Sequence, residues 1–517
     1  MKRYMPQNQL SIKEFSMPFD AELNPNNRWV IMAGIIPWDT FAREYYKHFK
    51  TNRGAPTLDA RLVLGVVIIK HVMKLDDQGV IEMIQENPYM QYFLGLSAFT
   101  HKPVMDSSSL VHIRRRIDLS IFEAMTDELM RRGQKLTESK IASTKKSKGR
   151  KKDQDKADQD NHDQNTPSPE VSNKGKLQLD ATVADAEIKF PTDLDLLNQG
   201  REKAEELIDF LYGELQMNVK PRDYRREARK NYLNLSKKKR KGEKELRKGI
   251  KAQINYLKRD VGLINKQLDI AQKLGKSQLF DRHQLKYFYV IQHLLVQQRE
   301  MFKEKKHSVE NRIVSIHQPH IRPIIRGKAK AKVEFGAKIN VSLDDGYARI
   351  DHFDWNAFNE GVDLPMQVER YREFHGYYPA LVQVDKIYLN RENRRWLKER
   401  GIQHTGDPLG RKQKVSSQTA YQKRKKRKDC AERNRIEGKF GQGKRGYGLN
   451  DIKARTSSTS MSWIGAIIFV MNIIRHMESI PTQIISWLKT ILMRMKQLIE
   501  MKFTNPTMKY VGFGIIQ

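Results

Sequence analysis

The sequence predicts a mixed α/β core, interrupted by a long α-helical insertion and preceded by an all-α N-terminal region. Three observations carry that prediction. Residues Lys176 to Val183 alternate Leu177, Leu179, Ala181 and Val183 with Gln178, Asp180 and Thr182, the period-2 pattern of a strand. Val333 to Leu343 and Tyr347 to Phe353 flank Asp344-Asp345-Gly346, a strong hairpin turn signal, and Ala380 to Val384 is an apolar run that ends on Asp385. Between the first strand and the hairpin, from Leu194 to about Lys306, apolar residues recur by threes and fours instead, which is helical spacing.

Composition narrows the function classes. The 517 residues carry a formal net charge of +34, too large an excess to be incidental. It points to a polyanionic partner, with nucleic acid ahead of a membrane surface. Cys430 is the single cysteine, so no intrachain disulfide can form, and no Cys/His cluster has zinc-ligand spacing. Met1 to Phe15 lacks the apolar core of a signal peptide. The longest apolar run, Trp463 to Met471, is far short of the ~20 residues that span a bilayer, so it reads as a buried core helix. The expectation is a soluble, cytoplasmic, nucleoid-associated protein with no membrane partner.

Along the chain, residues 1–135 read as a helical domain. Thr57-Leu58-Asp59 opens a helix in which Leu62, Val66, Ile69 and Met73 recur. A second helix follows Asp76-Asp77 and stops near Asn87-Pro88. A third opens at Asp106-Ser107 and carries His112, Arg114, Arg115 and Arg116. Short helices ending in a basic one suit a helix-turn-helix reader of DNA; a plain helical bundle with a solvated arginine face suits the same pattern. Residues 136–175 read as a linker, because Ile141 to Lys174 is polar, low-complexity sequence with almost no apolar residues. Residues 176–195 open the α/β core and 196–325 interrupt it. In that insertion Leu246, Ile250, Ile254, Leu257, Val261, Ile264, Leu268 and Ala271, then a turn near Gly275 to Gln278, then Leu285, Phe288, Ile291, Leu295 and Met301 predict a long antiparallel helical hairpin. Its outer face is basic, as in Lys237 to Lys244. Residues 326–455 resume the core, with helices over about Pro365 to Phe374 and Arg391 to Arg400 and a short strand at Gly401 to His404. Residues 456–517 hold two apolar helices, Ser460 to Met477 and Thr482 to Met501.

Three carboxylates stand out once the insertion is set aside: Asp180 in the first strand, Asp385 at the end of a buried strand, and Glu437 on a predicted helix. Brought to one point, they would need cations to neutralise them. Hard divalent ions with oxygen ligands, Mg²⁺ or Mn²⁺, suit them, and two such ions can clamp the attacking and leaving oxygens of a phosphoryl transfer. Arg433 and Glu437 are four apart and share one helix face. A basic run, Lys423-Arg424-Lys425-Lys426-Arg427-Lys428, lies just upstream.

These residues resemble a DDE transposase of bacterial insertion sequences. The signature around the last acid of one large group is Tyr, two residues, Arg, three residues, Glu, six residues, Lys; here the positions hold Cys430, Arg433, Glu437 and Lys444. The second acid opens Asp385-Lys386-Ile387-Tyr388, where the family usually has Asp-x-Gly-Tyr. Leu179-Asp180-Ala181-Thr182, His317 to Pro323 and Phe335 to Lys338 also look like family sequence. The resemblance implies a ribonuclease H-like core with a helical insertion and an N-terminal DNA-binding domain. It implies Asp180, Asp385 and Glu437 as catalytic metal ligands for two Mg²⁺ (or Mn²⁺) ions. It further implies Arg433 and Lys444 as phosphate contacts at the element's ends and a homodimer on DNA. Arg114, Arg115, Arg116 and the run Lys423 to Lys428 join them as DNA-binding candidates. The activity implied is cleavage and strand transfer at terminal inverted repeats. Two other functions fit the same residues: a transposase-derived DNA-binding protein that has lost cleavage, with Cys430 and Ile387 as its motive, and a structure-selective nuclease. His317, His320, Tyr388, Asp185, Asp344 and Asp345 are read as structural, turn or surface groups.

Overall fold

The structure is a computed structural model that describes residues 15–480, apart from 18–21, 48, 50–56, 150–171, 277, 326–332 and 407–419. The residues before 15, most of the expected linker and the helix expected over Thr482 to Met501 lie outside the described residues.

Seven helices come first: α1 (Arg28–Ile35), α2 (Trp38–Lys47), α3 (Ala60–Met73), α4 (Asp77–Glu86), α5 (Pro88–Phe93), α6 (Ser109–Arg116) and α7 (Leu119–Gly149). Local chemistry sets their starts. Asn27, Asp59, Asp76 and Asn87 each cap a helix by accepting from its first-turn N–H groups, and Pro88 sits in the first turn of α5, where its missing N–H costs nothing. Helix α3 is buried on most sides, as its apolar run requires. Helix α7 continues through residues 141–149, into sequence expected to begin a linker.

Strand β1 (Lys176–Asp185) then opens a sheet and is followed by α8 (Asp193–Glu214), α9 (Arg225–Ser236), α10 (Glu243–Lys273) and α11 (Arg282–Glu304). The predicted α10/α11 pair forms, but α8 packs with it, and Leu197, Ile208, Leu257, Ile264, Ile291 and Leu294 make one three-helix core. The chain returns through β2 (Arg322–Ile325), β3 (Val333–Asp344), β4 (Tyr347–Asp354), α12 (Leu364–His375), β5 (Leu381–Gln383), α13 (Arg391–Glu399) and β6 (Gln403–His404). It ends with α14 (Ala420–Gly446) and α15 (Ser457–Ser479). The β3–β4 turn has Asp345 at φ 45° and Gly346 at φ 84°, the left-handed pair that a two-residue hairpin demands.

The sheet order is β2-β3-β1-β5-β6, with β4 also on β3. β1, β3 and β4 run antiparallel; β5 and β6 run parallel to β1 and to each other. One face packs on α14 and α15 through Ile339, Val341, Ile436, Phe440 and Ile467. The other packs Leu179 and Val382 on Val368 and Leu397 of α12 and α13.

The N-terminal helices share their core with α15: Phe41, Val66 and Met125 lie in one cluster with Phe469, Val470 and Ile473. Among the described residues α15 is the one helix long and apolar enough to cross a membrane, and most of it is buried here. An ionic knot reinforces the junction. Lys70 and Arg114 both pair with Asp77, at 2.9 and 2.5 Å, and both lie against the Trp463 ring, at 4.3 and 5.1 Å. Arg114 is therefore a buried structural cation, and its expected place on a DNA-facing surface does not fit. Arg115 and Arg116 beside it differ: both are exposed.

In the insertion, Asp260 on α10 is fully buried and neither carboxylate oxygen has a hydrogen-bond partner. Burial first, then the negative charge of Glu205 on α8, pushes its pKa up to about 8, against the pull of Arg201; Asp223 and Arg259 act on it more weakly. An unfolded aspartate ionises near pH 3.9, so this group draws stability down as pH rises from about 4 to about 8 and has a flat effect above that. Asp260→Leu is expected to raise stability at pH 8 by ~1–3 kcal/mol by removing a buried unsatisfied carboxyl. Melting curves from pH 5 to 8.5 check this: the variant should lose part of the wild-type decline, and parallel profiles would contradict the assignment.

Candidate active site

Strands β1 and β5 pair in parallel with Leu177 opposite Val382 and Gln178 opposite Gln383. Two residues further on, at corresponding positions as the strands part, stand Asp180 and Asp385. Asp180 is half-buried in a strand otherwise buried on both faces, which answers the puzzle of an aspartate in mid-strand: it is where the sheet opens. Each acid settles one oxygen on the next residue's N–H, Asp180 on Ala181 at 2.8 Å and Asp385 on Lys386 at 2.7 Å. The second of these caps a 3-10 turn, Lys386–Tyr388.

Helix α14 brings the third acid. Buried Gln178 and Gln383 point toward it from adjacent strands. Gln178 donates from Nε2 to the main-chain carbonyl of Glu432 at 2.6 Å and to Gln383 Oε1 at 2.7 Å. Gln383 Nε2 donates to the carbonyl of Asp429 at 3.0 Å. Lys176 adds an ion pair to Glu432 at 2.5 Å. Ile436 and Phe440 bury the helix's inner stripe, and the flank beside that stripe carries Arg433 and Glu437.

Arg433 spans two of the acids. Its Nη1 is 3.6 Å from Asp385 Oδ1 and its Nη2 is 3.4 Å from Glu437 Oε1. Both contacts are long, and the Asp385 and Glu437 side chains are 59% and 57% exposed, open to an incoming ligand. Among the described residues no three His, Cys, Asp or Glu side chains stand close enough to hold an ion together. Asp180 and Asp385 thus stand at matching positions on two neighbouring strands, and Asp385 and Glu437 are linked by a guanidinium.

Lys444 does not stand free. It lies 3.1 Å from Asp185 and 3.6 Å from Glu334, tying α14 to the end of β1. Asp185, read from sequence as a surface group, is half of that tie. Cys430 is exposed on α14, and Ile387 is exposed on the turn after Asp385. Tyr388 is fully buried and gives its phenol proton to Asn340 Oδ1 at 2.6 Å; burial, then the charge of Asp180, holds its pKa far up. Asp344 pairs with His375 at 2.6 Å. His317 meets the Tyr287 hydroxyl at 2.8 Å, and His320 packs edge-on to Trp355 with burial lowering its pKa to about 4. The basic run is part of α14 itself, with Arg424, Arg427 and Lys428 exposed.

Gln178 and Gln383 were not singled out in the sequence, although a signal was there. Leu177-Gln178-Leu179-Asp180 and Val382-Gln383-Val384-Asp385 repeat one pattern, apolar-Gln-apolar-Asp, on two strands.

Comparison with known proteins adds the family. Residues 382–474, which include Asp385, Arg433, Glu437 and Lys444, match the transposase DDE domain model. Residues 17–116, the N-terminal helices, match a second transposase domain, DUF772. A curated relative, the uncharacterised protein ORF8 in the nfe locus of Rhizobium meliloti, is 40% identical over 98 residues, 19% of this chain. That match covers 47% of the relative, about half its length. No solved structure matches. Two transposase models thus match the chain, one over its N-terminal helices and another over the segment that carries Asp385 and Glu437.

Proposed function

We propose that the chain is a divalent-metal-dependent DNA transposase that binds the terminal inverted repeats of its element, cuts them, and joins the freed ends to target DNA. The observation that carries this is the register of β1 against β5. It sets Asp180 and Asp385 at matching positions where two parallel strands part, with Glu437 on the helix laid across them. The reading of the core as ribonuclease H-like is supported by its sheet, three antiparallel strands continued by two parallel ones. The reading of residues 17–116 as a DNA-binding domain is supported by the exposure of Arg116 at the end of α6.

The donor types suit hard divalent ions, and the three carboxylates would have to close on one another to share them. All three groups are carboxylates, and a cationic guanidinium already lies between two of them. Asp180, Asp385 and Glu437 would hold the ions. Bound there, divalent ions supply activation of a water or 3′-hydroxyl and stabilisation of the departing oxygen. The chain's own residues do the rest. Arg433, held only by long contacts, turns to a scissile-strand phosphate and leaves the carboxylates to their ligands. Lys444 keeps α14 on β1 and reaches DNA only by giving up Asp185. The exposed run on α14 neutralises phosphates next to the site, so DNA binding and Glu437 ride on one helix. A homodimer would hold the two ends together.

With labelled element ends and Mg²⁺, Asp385→Ala is expected to lower cleavage by at least ~10³-fold, about 4 kcal/mol of transition-state stabilisation, while binding the ends as wild type does. Equal cutting would sink the mechanism. Nicked DNA without joined product would favour a nuclease, and tight end binding with no cutting in any metal would favour a cleavage-deficient DNA-binding protein.

Replacing Arg424, Arg427 and Lys428 by Ala is expected to weaken DNA binding. It should also flatten the slope of log affinity against log salt by up to roughly 0.9 for each phosphate left without its cation. An unchanged slope would remove this part of α14 from the DNA surface.

A further inference from the structure

We infer that Gln178 and Gln383 are positioning residues that set Glu437 against Asp180 and Asp385. The inference rests on the proposal that these acids form one ion site. Helix α14 is poorly suited to hold its own place. Residues 423–428 of its N-terminal part are consecutive cations, and its second half carries Gly438, Gly441, Gly443 and Gly446, each costly inside a helix. Apolar contacts through Ile436 and Phe440 bury it without fixing its rotation or its advance along the axis. The two amides do fix both. They donate to the carbonyls of Asp429 and Glu432, one turn apart, from adjacent strands.

The same pair also locks the strands. Gln178 and Gln383 are register partners and bond to each other, two residues before Asp180 and Asp385 respectively. One buried network therefore determines the level of both strand acids and the placement of the helix acid. Gln383 is fully buried and Gln178 nearly so, so neither serves solvent or DNA. A side chain that acts through the ligands it orients typically changes metal affinity 10–100-fold when lost.

The chain supplies its own reporter. Cys430, its single cysteine, is exposed and lies between the two anchored carbonyls. A nitroxide attached there reads the mobility of that turn of α14 in the full-length protein. The test compares wild type with the double variant Gln178→Met/Gln383→Met, which removes the whole network while keeping shape, so the fold is retained. Val382→Ala serves as a control for general loosening, because Val382 is buried against α12 and α13 on the other face of the sheet. Two readouts are taken: the spin-label spectrum, and the Mn²⁺ concentration needed for half-maximal cleavage of element ends.

The double variant should show a more mobile label and need about tenfold more Mn²⁺, with cleavage recovering at saturating metal. Val382→Ala should leave the label spectrum and the Mn²⁺ midpoint at wild-type values even if it melts earlier. An unchanged label in the double variant overturns the inference, since the amides then do not hold the helix. A mobile label with an unchanged Mn²⁺ midpoint overturns it as well, since the helix then does not set the ion site. Wild-type protein that cuts in no metal would instead defeat the proposed function on which the inference rests.

Discussion

Everything at the candidate site depends on α14 being seated across the seam between β1 and β5. The strand acids are fixed by the sheet, but Glu437 is not; it is where it is because a helix lies there. Two buried amides, one ion pair from Lys176 and a short apolar stripe hold that helix at its middle, and Lys444 ties its end to Asp185. Main-chain carbonyls have a second lone pair to offer, so the glutamines anchor the helix without disturbing its own ladder. Remove the seat and the site becomes two acids on a strand edge beside a loose basic helix.

The charge arrangement follows from the same geometry. Asp385 and Glu437 would repel one another, and in the protein by itself that repulsion is relieved internally by Arg433, which reaches both. The contacts are long enough, and the acids exposed enough, for the guanidinium to be drawn away by a phosphate. Much of the remaining charge excess faces outward, on the insertion at Lys237 to Lys244 and on Arg424, Arg427 and Lys428 of α14. The cations that do turn inward, Lys70 and Arg114, serve a different purpose: around Asp77 and Trp463 they bind the N-terminal helices to α15. Helix α15 in turn packs on the sheet, so the N-terminal helices and the candidate site share a support.

Much of this architecture was legible because it is local. The alternation around Asp180, the Asp345-Gly346 turn, the caps at Asp59 and Asp76, and the period of α10 and α11 depend on neighbours within a few residues, and the structure has them as the sequence predicts. What was not legible depends on partners distant in sequence. Periodicity places Arg114 on a basic face but cannot reveal that Asp77 and Trp463 await it. It marks Ser460 to Met477 as buried but not that the N-terminal helices do the burying. Lys444 looks like a phosphate ligand until Asp185, far upstream, is found beside it. The basic run looks like a separate segment until Glu437 proves to ride on the same helix. Gln178 and Gln383 were invisible singly, because a polar residue between apolar ones reads as a solvent-facing strand position; only the pairing of β1 with β5 turns them inward together.

In the proposed mechanism Asp180, Asp385 and Glu437 surround one divalent-ion site. Iron-directed backbone cleavage tests it most directly: Fe²⁺ is bound in place of Mg²⁺ with element-end DNA present, and ascorbate and peroxide then generate short-range radicals at the ion. Cuts in the chain are expected at three places, around residues 180, 385 and 437, all suppressed by excess Mg²⁺. Cuts near only one of the acids, or at sites that Mg²⁺ does not protect, would contradict it.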